Sequence, residues 1–218
     1  MANKTLAPQQ ARSRESFRKL MKAAAEVLGQ HGLEGATIPR IAQHAGLTPG
    51  AIYRRFPDKE ALLEAVILRI LERQDERLRM MFTTAMARQI PLAVFAEQLI
   101  NNMLVSYRAN AGLMRALRQF AQSRDHASFY RKVTRLEMRT YQYLVELFLV
   151  HRKDVKHPDP QTAVSFALMM LISTLVELIL VDHDMQTWQA VIPRDDQTLK
   201  SELLRSFLRY LGIEHKNN

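Results

Sequence analysis

Twice in quick succession a threonine stands ahead of a proline-bearing helix start: Thr37-Ile38-Pro39 and Thr48-Pro49. A threonine hydroxyl can accept from an orphan backbone N–H at a helix N-terminus, and proline in the first turn sacrifices no intrahelical bond. After the first start, Ile38, Ile41, Ala42 and Ala45 recur at helical spacing, and Gly46 supplies a stop that tolerates a left-handed backbone. The second start follows so soon that only a sharp corner fits between them. The run Thr37–Lys59 therefore predicts helix, tight turn, helix.

In the second helix Ile52 and Phe56 form an i,i+4 pair that can face inward, leaving Gly50, Ala51, Tyr53, Arg54 and Arg55 over the remaining surface. Pro57 cannot continue that helix and Asp58 can cap the next one. Lys59 lies at the new N-terminus, where backbone donors and partial positive charge suit a phosphate. Local chemistry leaves two readings open, a corner that merely packs and a corner that reads DNA. The basic, aromatic and small residues on the outer face favour DNA, since packing does not call for them.

Charge points the same way. The 218-residue chain has net charge +9, with ten Lys/Arg against five Asp/Glu in residues 1–60 and twenty-one against seventeen in residues 61–218. A basic N-terminal part beside a nearly balanced remainder suggests a polyanion partner. Cysteine is absent, which excludes disulfides, thiolate metal sites and a cysteine nucleophile, and the cytoplasm is the expected compartment. No apolar run of signal-peptide length opens the chain, and residues 1–11 are expected to form a flexible arm. Residues 163–181 imitate a membrane span, with Glu177 their sole ionisable group, but a mid-membrane carboxylate costs about 2.5–3.5 kcal/mol. Asp182, His183 and Asp184 follow without basic flanks, so this stretch reads as a helix buried in protein, and no membrane partner is expected.

Helical periodicity predicts an all-α fold of about nine helices. Phe17, Leu20, Met21, Ala24 and Leu28 mark a first helix starting near Ser13 and stopping at Gly32. Leu62, Leu63, Val66, Ile67, Ile70 and Leu71 mark a long helix over 58–82, and five more follow at about 91–108, 110–123, 125–152, 159–181 and 197–211. The expected domains are the arm 1–11, a DNA-binding head 12–57 with the helix-turn-helix at about 37–56, and a helical ligand-binding and dimerisation body 58–218 that begins with the linker helix 58–82.

From Phe17 to Val66 the chain resembles the TetR family of bacterial transcriptional regulators. The resemblance rests on Ala24-Ala25, Leu28, Gly32-Leu33-Glu34, Thr37-Ile38, Ile41-Ala42, Ala45-Gly46-Leu47, Ile52-Tyr53, Phe56-Pro57 and Lys59-Glu60-Ala61-Leu62-Leu63. Departures are Gly29 where alanine is usual, Leu33 where an aromatic is common, and Arg40 where an acidic residue often completes a capping box. The resemblance implies a cytoplasmic homodimer that binds a palindromic operator on double-stranded DNA and is released by a small effector. It implies phosphate contacts at Thr37, Tyr53 and Lys59; the departure Arg40 leaves two readings open, an extra phosphate contact and a solvated surface residue. Thr48, Pro49, Gly50, Ala51 and Arg54 would touch base edges or thymine methyls, Arg54 either by forking onto a guanine or, alternatively, by a further phosphate contact. Arg55 is expected to point towards the linker helix.

For the body, an apolar effector pocket is expected from Met103, Tyr107, Met114, Leu117, Phe120, Phe129, Met170 and Leu171, with Glu177 facing a cationic ligand or an internal partner. The dimer interface is expected on the last two helices, with Leu199, Leu203, Phe207 and Tyr210 at interface spacing. Apolar stripes of this kind also describe plain core. The histidines and carboxylates form no His-Glu-x-x-His, and there is no phosphate-cradling glycine loop or Gly-x-Ser-x-Gly elbow, so neither enzyme, metal nor cofactor is expected. The alternative function is a DNA-binding protein of the same fold that organises chromosomes and has no effector.

Overall fold

The computed structural model describes residues 6–122, 127–180 and 195–214. These form α1 (Leu6–Gly35), α2 (Ile38–Ala45), α3 (Pro49–Tyr53), α4 (Lys59–Met81), α5 (Thr84–Gln89), α6 (Leu92–Ala109), α7 (Ala111–Gln122), α8 (Ala127–Leu149), α9 (Pro160–Leu180) and α10 (Asp196–Tyr210), with no strand among the described residues. The expected helices are all present, and the short α5, capped by Thr83, is an addition. Residues 1–5 of the expected arm, the start near 125 of the long helix and Asp182, His183, Asp184 and Pro193 lie outside the described residues.

α1 starts at Leu6, upstream of the Ser13 cap expected from sequence. Pro8 falls in its first turn and Gln9-Gln10-Ala11 are good helix formers, so nothing delays the helix. Its regular geometry breaks at Gly32, where φ is 66°.

The chain divides into two compact units that do not follow the expected boundary at residue 57. The first comprises residues 1–72 and 112–133, the second residues 73–111 and 134–218. In the first unit Leu62, Leu63, Val66 and Ile67 of α4 are buried with Leu20, Ala24 and Leu28 of α1 and with Ile41 and Ile52. Ala116, Leu117 and Phe120 of α7 and Phe129 and Val133 of α8 complete this core. α7 docks backbone to backbone, since a Cβ at Gly112 would lie 2.4 Å from the Gly29 carbonyl oxygen. The core of the first unit thus takes in part of α4, α7 and the start of α8, because α1 with the short α2 and α3 encloses little core alone.

The second unit is built round a ladder of aromatic rings. Phe82, Phe95, Phe148 and Phe207 follow one another at centroid separations of 5.9, 4.9 and 5.0 Å. Asp75, only 2% exposed, accepts from Arg79 at 3.0 Å, Arg139 at 2.7 Å and Thr140 at 2.9 Å. Burial pushes its carboxyl up, but these hydrogen bonds and the two guanidinium charges win and hold it below the usual carboxylate range. Arg79 also lies over the Tyr143 ring, 4.1 Å from its centroid, and the Tyr143 hydroxyl donates to the Phe82 carbonyl at 2.8 Å.

α9 is long and apolar enough to cross a membrane, with a mean hydropathy of 2.3 in its most apolar window. Ala163, Val164, Ala167, Leu168, Leu171 and Leu175 bury one face in the second unit, whereas Phe166 and Met169 are 43% and 47% exposed on another. Within the single chain, the burial in protein expected for this helix covers one face.

Candidate nucleic-acid interface

The corner forms as its capping residues dictate. Thr37 and Thr48 are extended (φ −85°, ψ 151° and φ −89°, ψ 151°), and their hydroxyls accept from the N–H of Arg40 at 3.4 Å and of Ala51 at 3.2 Å. Each hydroxyl acts there as acceptor, so its own O–H is left to donate outward, as a phosphate oxygen requires. Gly46 is left-handed (φ 66°, ψ 36°), and Leu47 N–H reaches back to the Ala42 carbonyl at 2.9 Å, which closes α2 and turns the chain. Asp58 caps α4 by accepting from Ala61 N–H at 2.7 Å.

Ile52 anchors α3 with a fully buried side chain. Thr48, Pro49, Gly50, Tyr53 and Arg54 are exposed, and Ala51 is half-buried. Tyr53 is 54% exposed, and the Arg54 side chain makes no hydrogen bond or ion pair with any described residue. A Cβ added at Gly50 would meet nothing within 4 Å, so the protein itself does not require a glycine there. Together these residues form a small, polar and cationic outer face on a rigidly held helix.

Three other basic residues are spoken for, in part or whole. Arg55 donates to the Ser16 hydroxyl at 3.1 Å and to Ser13 at 3.3 Å, which ties the end of α3 to α1 and corrects the expected direction towards the linker helix. Sequence spacing gave no sign of this, since the partners are far apart along the chain. Arg40 donates to the Gly35 carbonyl at 2.8 Å, closing the end of α1 while remaining exposed. Lys59 donates to the Leu33 carbonyl at 3.0 Å, so one of its three N–H donors is committed within the head.

A further brace was not legible in sequence. His44, in the last turn of α2, hydrogen-bonds Glu26 of α1 at 2.9 Å, and Lys22 stands 3.6 Å from the same carboxylate. The His44 hydrogen bond, opposed by partial burial and aided by Lys22, holds the Glu26 carboxyl below its ordinary range.

The residues expected to line an effector pocket are divided between the units. Leu117, Phe120 and Phe129, with half-buried Met114, belong to the core of the first, where Phe120 and Phe129 meet edge to face at 5.6 Å. Met103, Tyr107, Met170, Leu171 and Glu177 belong to the second. Glu177 is exposed, so the burial cost anticipated for it does not arise in the single chain. Sequence reasoning passed over Glu137 on α8. It keeps an exposed edge, yet surrounding protein desolvates the carboxyl and pushes it up, while burial and the Glu137 charge raise the Tyr107 phenol. An open groove of about 450 Å³ runs between Tyr141 and the first half of α9, lined by Asp159, Gln161, Thr162, Ser165, Phe166 and Met169.

Of the residues expected at a dimer interface, Leu199, Leu203 and Phe207 are 2%, 8% and 3% exposed, consumed by packing within their own unit. Tyr210 is 37% exposed and lies 5.7 Å from the Phe166 ring. The large exposed apolar side chains of α9 and α10 are therefore Phe166, Met169 and Tyr210, of which only Tyr210 belongs to the stripe that helical spacing singled out.

Helix, left-handed turn and anchored second helix, set in an all-helical chain, define a helix-turn-helix protein. The profile of the bacterial regulatory proteins, tetR family, matches residues 20–66. The transcriptional regulator UidR of Escherichia coli is 34% identical over 61 residues, 28% of this chain and 31% of its own. A TetR-family protein of Mesorhizobium loti superposes over 92% of this chain and 96% of its own, with a TM-score of 0.71 and 20% identity. FadR of Bacillus subtilis, solved with stearoyl-CoA, does so over 91% and 100%, with a TM-score of 0.62 and 18% identity. The head is thus similar in sequence to TetR-family heads over residues 20–66, and the chain shares its fold with solved structures of that family. The chain's match spans about a third of the curated relative's length.

Proposed function

We propose that the protein is a cytoplasmic transcriptional regulator, a repressor that binds a palindromic operator as a homodimer and leaves it when a small effector binds the body. The observation that carries this reading is the outer face of α3, where Thr48, Pro49, Gly50, Tyr53 and Arg54 are exposed on a helix anchored by buried Ile52. Thr37, Tyr53 and the remaining donors of Lys59 and Arg40 contact phosphates. Thr48, Pro49, Gly50, Ala51 and Arg54 contact base edges and thymine methyls.

Two copies pair through α9 and α10, and a two-fold pair of heads reads a two-fold site. Exposed Phe166, Met169 and Tyr210 support this pairing, because a helix as apolar as α9 gains from covering its free face. The effector occupies the second unit against Met103, Tyr107, Met170 and Leu171, adaptable and apolar surfaces that suit a ligand with a sizeable hydrocarbon part. The fold shared with a stearoyl-CoA-bound FadR supports a ligand of that size.

Selection from a random duplex pool tests the reading. Enrichment of a palindrome is expected, and a pool that yields none overturns it. A thermal-shift panel of fatty acids, acyl esters and aromatic amphiphiles, repeated with Tyr107→Ala, tests the effector site.

A further inference from the structure

A cation drawn partly out of water needs a partner, and the two units supply different ones. Among the described residues five Lys and Arg are half-buried: Arg55 and Lys59 in the first unit, Arg79, Lys200 and Arg205 in the second. All three in the second unit meet carboxylates, Asp75 at 3.0 Å, Glu97 at 3.2 Å and Glu202 at 3.1 Å. Neither in the first unit does. Lys59 donates to the Leu33 carbonyl, and Arg55 donates to the Ser16 hydroxyl at 3.1 Å, the Ser13 hydroxyl at 3.3 Å and the Ser13 carbonyl at 3.4 Å.

The Arg55 junction is firmly held and still has donors to spare. The Phe17 and Phe56 rings stack with centroids 6.4 Å apart, which pins α1 against the end of α3. Ser13 is exposed, and both serine hydroxyls act as acceptors, so each keeps its own O–H, which donates to no described residue. The Arg55 bonds run from its two terminal nitrogens, leaving its Nε–H uncommitted. Glu15, the carboxylate between the two serines in sequence, is drawn to Lys19 at 3.0 Å, while exposed Arg12 and Arg14 flank Ser13. Two hydroxyl donors and a guanidinium without a counterion thus meet at one corner, a donor set that suits the oxygens of a phosphate. α3 spans five residues, about 7.5 Å at 1.5 Å each, so this corner directly follows Tyr53 and Arg54 at the end of the helix.

We propose that Ser13, Ser16 and Arg55 form a phosphate seat that grips the operator backbone beside the segment read by α3, which makes α1 part of the DNA interface. This rests on the DNA-binding reading above. The bound phosphate supplies the counterion that the protein withholds from Arg55. The seat carries no sequence information and fixes the register of α3 on the duplex.

The test uses the full chain and the selected operator, with affinity measured against salt by fluorescence anisotropy and stability by urea unfolding. Arg55→Gln should lose about 0.9 from the log–log salt slope. Ser13→Ala with Ser16→Ala removes only neutral donors and should weaken binding about three- to tenfold per hydroxyl at an unchanged slope. Ser16→Asp separates the seat from a mere tie between helices, because a carboxylate there keeps the tie to Arg55 as an ion pair yet fills the place of the phosphate. Its unfolding midpoint should equal or exceed that of the wild type, while its salt slope falls by about 0.9. A wild-type slope in either Arg55→Gln or Ser16→Asp overturns the seat and leaves the regulator reading intact. A wild type that binds no duplex in a salt-dependent way overturns both. Protection against unfolding by inorganic phosphate that disappears in Arg55→Gln, with the DNA slopes unchanged, assigns the corner to free phosphate and overturns the proposal.

Discussion

Gly50→Ala separates what the fold needs from what a partner needs. Gly46, with φ of 66°, occupies a left-handed turn in which an L side chain costs about 1–2 kcal/mol, so its glycine is explained by the fold. Gly50 is not among the positive-φ glycines, and an added Cβ would meet no atom within 4 Å. Inside a helix glycine is worse than alanine by about 0.5–1 kcal/mol, chiefly because the unfolded chain gains entropy. Position 50 falls in the first turn of the short helix Pro49–Tyr53, so the lower end, about 0.5 kcal/mol, is expected.

The substitution should therefore raise the midpoint of urea unfolding slightly while leaving its slope unchanged. On operator DNA it should do the reverse. A methyl group on a face meant to lie against base edges holds the helix off and weakens binding by at least tenfold, which corresponds to about 1.4 kcal/mol. Fluorescence anisotropy on a labelled operator, alongside urea unfolding, measures both quantities on one preparation. Stability gained with affinity unchanged refutes the contact at Gly50. Stability lost refutes the account of open space around it.

Arg54→Ala should remove discrimination at one base pair of each half-site by about 1–3 kcal/mol, read by competition with operators altered at single positions, and leave unfolding within about 0.5 kcal/mol of wild type. Asp75→Ala should destabilise the second unit by about 2 kcal/mol in urea unfolding, below the 3–5 kcal/mol of a fully enclosed pair because Arg79 and Arg139 are 36% and 52% exposed and can turn to solvent. Asp75 has a depressed pKa, so its contribution is complete above the unfolded value of about 3.9 and fades as pH falls through the folded one. The gap between wild type and Asp75→Ala should close on acidification below about pH 4, and a gap that widens there refutes the clamp. Met169→Asp, on the free face of α9, should weaken self-association at least tenfold in sedimentation velocity with helical content unchanged, and an unaltered dimer removes that face from the interface.

The head was legible because its signals are local. Each of Thr37, Gly46, Thr48, Pro57 and Asp58 acts on backbone groups within a few residues, so spacing alone places two helices and the turn. What spacing missed were the long-range ties: Arg55 to Ser13 and Ser16, Lys59 to the Leu33 carbonyl, and His44 to Glu26. A cation on a helix surface looks the same in sequence whether it meets a phosphate or the end of a neighbouring helix. Only the fold tells Arg54, which stays free, from Arg55, which does not.

The body was legible in outline and misassigned in detail for a related reason. An amphipathic helix shows that it has an apolar face, but not what covers that face. Leu117, Phe120 and Phe129 looked like pocket and are head core, and Leu199, Leu203 and Phe207 looked like interface and are packed within their own unit. In both cases the sequence stripe is real and its partner lies in the same unit. The large apolar residues left for an outside partner are Phe166 and Met169 on α9, both off the stripe, and Tyr210 at its end on α10. They stand out only once the packed faces are known. In a chain of this class, function is therefore better sought among exposed residues that the core does not explain than along the periodic positions that build it.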